Sequence, residues 1–197
     1  AFLILTPLIT YLLLANDIKD PERLMNRNNT GLALTDINGK AFYSVGRAER
    51  RELVKLDSIS TDMKNALIAS EDKDFYKHGG FDIRGIIRSV VNNASGGGKQ
   101  GASTITQQLA RNVILEDNTR SGIAGYTRKL KEIILSIELE RTYSKDEILN
   151  FYLNSIGYGG TAYGVESASK RYFDKSAKDL SIEEAAYIAS IPQYPSL

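Results

Sequence analysis

The sequence predicts a mainly α-helical domain with a small β-hairpin, preceded by a fragment of a transmembrane helix. Three observations point there. Apolar residues recur at helical spacing through most of residues 58–190. Three serine or threonine residues stand three positions before a glutamate or glutamine, the spacing of a capping box: Thr104 with Gln107, Ser144 with Glu147 and Ser181 with Glu184. Against these, one convincing β signal exists, an Asn38-Gly39 pair between short apolar runs, and one uncharged apolar stretch opens the chain.

That stretch, "AFLILTPLITYLLLA" over residues 1–15, reads as a partial membrane anchor, the outer part of a helix that needs ~20 apolar residues to span. A signal-peptide core or a buried helix would have similar composition, but no small-residue cleavage pattern follows Ala15. Residues 16–54 form a linker and the hairpin, in which "LALTDINGKAFYSV" folds about Asn38-Gly39, residues that tolerate the positive φ of a type I′ turn. Residues 55–197 form the helical domain, and nothing at "IPQYPSL" terminates it, so the domain is expected to continue. "SISTDMKNALIASEDKDFYKH" is expected to be one helix, capped by Ser60 or Thr61 and stopped by Gly79-Gly80. A helix over "FDIRGIIRSVVNN", a mobile loop at "ASGGGKQGAS" and a helix from "STITQQLARN" come next. "GYTRKLKEIILSIELERTY" is a long helix with Leu130, Ile133, Ile134 and Ile137 as its apolar stripe. Two capped helices follow, and Pro192 ends the last.

Composition excludes several classes of function. With 25 basic and 24 acidic residues among 197, the net charge of +1 gives no footprint for nucleic acid. The absence of cysteine rules out a disulfide framework and thiolate metal sites, and a single histidine rules out a His-rich zinc centre. Chemistry is left to carboxylates, amides and basic groups acting locally.

Four strings carry such groups. In "EDKDFYKHGGFD", a spacing of about 100° per residue sets Met63, Leu67, Ile68 and Phe75 along one arc, with Glu71 and His78 inside it and Asp72 nearly opposite. A glutamate between Leu67 and Phe75 loses hydration, which raises its pKa toward the range useful in proton transfer near neutral pH. A solvated helix glutamate beside Lys64 is the plain alternative. His78, one turn from Asp74 and two from Glu71, can orient a carboxylate, act as an acid or cap the helix end. Asp82 can cap the next helix or hold the turn. In "GASTITQQLARN", Gln107 or Gln108 shares a helical face with Arg111, which suits phosphate oxygens and sugar hydroxyls, or a polar solvent face. The nearby glycine loop is not a P-loop, because Lys99 is followed by Gln100. "RKLKE" gathers Arg128, Lys129, Lys131 and Glu132, either a cation cluster with one acid or an exposed i,i+4 ion pair. "YLNSIGYGGTAYG" suits close backbone packing against carbohydrate or a neighbouring element.

Together and in this order the strings resemble the peptidoglycan glycosyltransferase family, found in class A penicillin-binding proteins and in monofunctional murein polymerases. The pattern Glu-Asp-x-x-Phe-x-x-His-x-Gly-x-Asp is matched by Glu71, Asp72, Phe75, His78, Gly80 and Asp82. Gly-x-Ser-Thr-x-x-Gln-Gln-x-x-Lys/Arg-Asn is matched by Gly101, Ser103, Thr104, Gln107, Gln108, Arg111 and Asn112, with arginine where lysine is frequent. Arg-Lys-x-x-Glu is Arg128, Lys129 and Glu132, and the fourth motif falls on Lys145, Ile148, Tyr152, Leu153, Asn154, Gly159 and Gly164. The stretch "DNTRSGIAGYTRK" is somewhat longer than the family's equivalent.

The resemblance implies a lysozyme-like helical fold that polymerises lipid II into β-1,4-linked glycan strands, with inversion at the donor's anomeric carbon and release of undecaprenyl pyrophosphate. It implies Glu71 and Glu132 as catalytic residues. Glu71 takes the proton of the acceptor's 4-hydroxyl, and Glu132 organises the cations. The substrate-binding set it implies comprises Asp72, Phe75, His78, Arg88, Ser103, Thr104, Gln107, Gln108, Arg111, Arg120, Arg128 and Lys129. Among these, Arg111, Arg128 and Lys129 face the departing pyrophosphate, and Asp72 and His78, together with Asp82, hold the active-site segment in shape. No residue is assigned to a metal and no organic cofactor is expected. A divalent cation such as Mg2+ at the pyrophosphate is the one cofactor with a place in that scheme. The implied partners are lipid II, the lipid-linked strand, the bilayer, a C-terminal transpeptidase domain and other cell-wall synthesis proteins, at the outer face of a bacterial cytoplasmic membrane crossed once. The nearest alternative is a muramidase or lytic transglycosylase, which also needs a helix-borne glutamate but not the basic clusters. A non-enzymatic anchored scaffold is the other.

Overall fold

The computed structural model describes residues 9, 18–21, 24, 31–37, 41–46, 52–83, 85, 87, 88, 92, 103–115, 122–160 and 162–193. The described part is mainly helical. β1 (Gly31–Thr35) and β2 (Ala41–Gly46) pair antiparallel, with Leu34 opposite Tyr43 and an irregularity between Leu34 and Thr35. The expected Asn38-Gly39 turn and, apart from Ile9, the expected anchor over residues 1–15 lie outside the described residues. Among the described residues no helix is long and apolar enough to cross a membrane.

Helix α1 (Thr61–Glu71) begins where the Ser60 hydroxyl accepts from the Met63 amide at 3.1 Å, meeting one of the orphan donors of the first turn. Its fully buried Met63 and Leu67 pack toward α6 (Ile182–Ser190). Contrary to the sequence pattern, α1 does not run on to His78. It stops at Glu71, because Asp72 leaves helical geometry, and the chain re-coils only as a 3-10 turn over Phe75–Lys77. The physical reason lies in two tertiary anchors. The Asp72 carboxylate is drawn to another helix, and Phe75 is fully buried in the core. The angular placement of Phe75 and His78 on one continuous helix therefore does not apply.

Helix α2 (Ile105–Leu109) buries Ile105, Thr106, Gln107 and Leu109 between α3 (Gly122–Thr142) and α4 (Lys145–Ser155). It starts at Thr104, whose hydroxyl accepts from the Gln107 amide at 3.2 Å, and passes into a π-helical turn over Ala110–Leu115. Such turns widen the helix locally and are frequent at functional sites. The reciprocal half of the expected capping box is absent here, since the Gln107 side chain is engaged elsewhere. Ser144 with Glu147, at the start of α4, and Ser181 with Glu184, at the start of α6, make both halves. Between them lies α5 (Val165–Phe173).

The long helix α3 differs from the expected stripe in phase. Leu130 and Ile137 are exposed, and the buried face is Glu132, Leu135, Ser136 and Leu139. Two of these four are polar. The reason is close packing against the segment after Glu71: Gly80 has φ +92°, and a Cβ there would stand 2.7 Å from the Ser136 carbonyl oxygen. An apolar side chain does not define this interface; backbone approach does.

The segment before the hairpin also touches the core. Ile18 and Leu24 are buried, and the Tyr143 hydroxyl donates to the Ile18 carbonyl at 2.6 Å. Residues 52–55 are fastened by Asn154, whose amide copies a strand: Oδ1 accepts from the Val54 N–H at 3.0 Å and Nδ2 donates to its carbonyl at 2.9 Å.

Candidate active site

Glu71 is the last residue of α1, where a carboxylate is no longer confined by a following helical turn. Its Oε2 accepts from the Gln108 Nε2 at 2.8 Å. The other end of the same amide, Gln108 Oε1, accepts from the Tyr152 hydroxyl at 3.0 Å. Tyr152 and Tyr158 are fully buried, and both phenols are pushed up, first by burial and then by the negative charge of Glu71. Glu71 therefore sits in a wall of buried aromatic and amide groups, contributed by α2, α4 and the turn after α4.

Its neighbour Asp72 faces a different way. Both carboxylate oxygens lie 3.0 Å from His78 Nε2, and Oδ2 accepts the Ile105 backbone N–H at 3.0 Å. The latter is one of the orphan donors of the first turn of α2, so a carboxylate there meets both a hydrogen bond and the positive end of the helix dipole. Thr104 ties the same junction, its hydroxyl donating to the Gly80 carbonyl at 2.7 Å. Phe75 fills the space beneath, edge-on to His78 and with the Lys145 ammonium 4.3 Å from its ring centroid. The residues from Glu71 to Gly80 are thus bound to the start of α2 by two side chains, those of Asp72 and Thr104. Of the roles open to His78, the contact seen is with a carboxylate, and it is that of Asp72, neither Asp74 nor Glu71.

A cation cluster lies on the other side of α2. Lys129 Nζ donates to Ser103 Oγ and Gln107 Oε1, each at 2.8 Å, and to Glu132 Oε2 at 3.1 Å. Arg128 bonds the other Glu132 oxygen, and Glu132 is 1% exposed. Burial pushes the Lys129 ammonium down to about 8, aided by the positive charges of Arg111 and Arg128. The Arg128 and Glu132 pair is therefore not the exposed ion pair that i,i+4 spacing allows. It belongs to a buried network that crowds cations, an arrangement suited to an added polyanion. Gln107 Nε2 is buried and finds no hydrogen-bond partner among the described residues, which leaves a donor in this wall.

Of the predicted residues, Glu71, Asp72, Phe75, His78, Thr104, Gln107, Gln108, Ser103, Arg128, Lys129 and Glu132 are linked through direct contacts, and Arg111 acts electrostatically on Lys129. Arg88 is exposed, with Asp74 3.9 Å away. Arg120 lies outside the described residues. A divalent cation at a pyrophosphate needs only one or two protein carboxylates beside phosphate oxygens and water. Both Glu132 oxygens are engaged by cationic side chains, and among the described residues no group of three acidic, histidine or cysteine residues gathers.

Tyr158 is not among the expected site residues, and Tyr152 enters only as a residue of the fourth motif, with no role assigned. The signal common to both is that a buried tyrosine must place its hydroxyl somewhere.

A family model described as Transglycosylase matches residues 38–197. The chain is 41% identical over 198 residues to penicillin-binding protein 1F of Bacillus subtilis, covering all of this chain and 26% of the relative. It is 39% identical over 199 residues to penicillin-binding protein 1A of Mycolicibacterium smegmatis, covering all of this chain and 25% of that protein. Against penicillin-binding protein 1A of Clostridium botulinum it is 46% identical over 169 residues, 83% of this chain and 20% of the relative. The chain thus spans about a quarter of the length of these curated relatives. With a helix-end glutamate held by an amide, a buried cation cluster one residue away along α2 and this extent of match, the chain belongs to the transglycosylase family, the peptidoglycan glycosyltransferases that its motifs resemble.

Proposed function

We propose that this domain polymerises lipid II into β-1,4-linked glycan strands by an inverting displacement. The observation that carries the reading is that adjacent residues of α2 reach the two groups such a reaction needs: Gln108 holds Glu71 and Gln107 holds Lys129. A base on α1 and a cation cluster on α3 are thereby both held by one short element. Glu71 accepts the proton of the acceptor's 4-hydroxyl as that oxygen forms its bond to the donor's anomeric carbon. The bond from that carbon to the pyrophosphate oxygen breaks on the opposite face, so the α linkage becomes β. Lys129, Arg128 and Arg111 receive the charge that develops on the leaving lipid pyrophosphate, which preorganised cations stabilise more in the transition state than in the ground state. Glu132 keeps those cations together before substrate arrives, and Ser103, Thr104 and Gln107 shape the donor side. No step is routed through a metal.

The expected setting follows from the substrates. Both are lipid-linked, so residues 1–15 are read as part of a single anchor, residues 16–54 as the connection and residues 55–197 as the catalytic domain at the outer face of the membrane. The relatives' names and about fourfold greater length support a larger protein with a penicillin-binding transpeptidase domain beyond residue 197. Incubation with fluorescent lipid II in detergent tests the function: long strands sensitive to a muramidase are the expected product. Digestion of purified sacculi with lipid II left unchanged would overturn it in favour of a lytic enzyme.

A further inference from the structure

We propose that Tyr152 is a positioning residue for the general base, acting through Gln108; this rests on Glu71 being that base. A glutamine amide is nearly symmetric in shape, and either end could face a neighbouring carboxylate. If the oxygen faced Glu71 the two would repel. If the nitrogen does, it donates. The Glu71 carboxylate, which only accepts, selects the nitrogen, and Nε2 meets it at 2.8 Å. The Tyr152 hydroxyl, donating to Oε1 at 3.0 Å, holds the amide in that orientation from the α4 side.

The support for the tyrosine is itself rigid. Tyr152 is fully buried in α4 among Ile148, Leu149 and Leu153, and that helix starts from a complete capping box at Ser144 and Glu147. Its phenol is held in the protonated, donating form by burial and by Glu71's charge. The titratable and charged groups facing it are Glu71, Asp72, Arg111 and Tyr158, and none of the acids can take its proton at neutral pH. The chain from tyrosine hydroxyl through amide to carboxylate therefore runs in one direction. It supplies a donor that stabilises the charged form of Glu71 and sets the oxygen that meets the acceptor hydroxyl.

The test is the pH profile of kcat/KM for polymerisation by Tyr152→Phe, which removes one oxygen and keeps the ring. Freed of its partner, Gln108 no longer holds its amide nitrogen on Glu71, and a carboxylate that loses a donor has a higher pKa. The acid limb is expected to move up by about one unit, a loss of about tenfold on that limb beyond whatever is lost on the plateau. A packing defect would instead lower the whole profile without moving the limb, and that result overturns the proposal. In a Gln108→Ala background Tyr152→Phe should add no further loss; a full additional loss there also overturns it. If Tyr152→Phe does not fold, Tyr152→3-fluorotyrosine, incorporated at that one site, keeps the ring and strengthens the donor. The limb must then move to lower pH, and an unmoved limb counts against the relay. Glu71→Gln is measured beside these variants. If it stays active, the base assignment fails and the relay with it. If it is inactive while Tyr152→Phe keeps the wild-type limb, the relay alone fails.

Discussion

Glu71 and Gln108 stand 37 positions apart and meet through a single hydrogen bond of 2.8 Å, from the amide nitrogen to Oε2. The bond ties the end of α1 to the middle of α2, and it turns a helix-terminal glutamate into a fixed group. An isosteric amide at position 71 could still accept from Gln108 through its oxygen, so shape and packing survive while basicity is lost. Glu71→Gln is expected to lower lipid II polymerisation by about 10²–10⁴-fold, with Tm near that of the wild type by circular dichroism.

Lys129 gives two pH dependences of opposite sign. Its ammonium is pushed from the model-peptide value of 10.5 down to about 8 by burial, then by Arg111 and Arg128, so the folded protein loses this cation as pH rises through about 8. Activity that depends on the cation should fall there, and Lys129→Arg, which stays charged, should flatten that alkaline limb. Stability runs the other way. Between about 8 and 10.5 the unfolded chain holds the proton and the folded one does not, so the unfolded state binds more protons and stability rises with pH. The rise is small, because the Lys129 side chain keeps 35% of its surface exposed. Melting curves of wild type and Lys129→Met from pH 7 to 10 check it; the variant should lack this component.

Gly79 and Gly80 are adjacent and should respond differently. A Cβ at Gly79 meets nothing within 4 Å, whereas one at Gly80 would lie 2.7 Å from the Ser136 carbonyl oxygen on a backbone of φ +92°. Gly80→Ala is expected to cost about 3 kcal/mol, through strain and the forced separation of this segment from α3. Gly79→Ala should stay within about 0.5 kcal/mol of wild type. Urea unfolding of the two variants is the measurement.

Asp72 is predicted to matter for stability as well as for activity. Its carboxylate serves His78 and the Ile105 N–H at once, and removal leaves that buried N–H at the start of α2 without its acceptor, although the Thr104 cap remains. Asp72→Ala should cost about 2–4 kcal/mol. Polymerisation should fall with it even at temperatures where the variant is fully folded, since α2 carries both glutamines. Equal activity per folded molecule would show that this contact is structural alone.

What the sequence determined by itself is local. Serine and threonine caps with their partners three residues on, helical spacing of apolar residues and the motif strings were enough to locate most helices, because capping and amphipathicity act within a turn or two of chain. The same strings name Glu71, Gln107, Gln108, Arg128, Lys129 and Glu132, whose side chains make contacts with one another in the fold. The early end of α1, the pairing of Asp72 with His78, the buried polar face of α3 and the part taken by Tyr152 were decided only by tertiary structure. Each depends on a partner far along the chain, on Ile105 for Asp72, on Gly80 for Ser136 and on Gln108 for Tyr152. A periodic pattern can say that a helix has a buried side, but which side faces in is fixed by the groups that meet it. In this domain those groups are polar and the backbones approach closely, so hydrophobicity alone pointed α3 the wrong way.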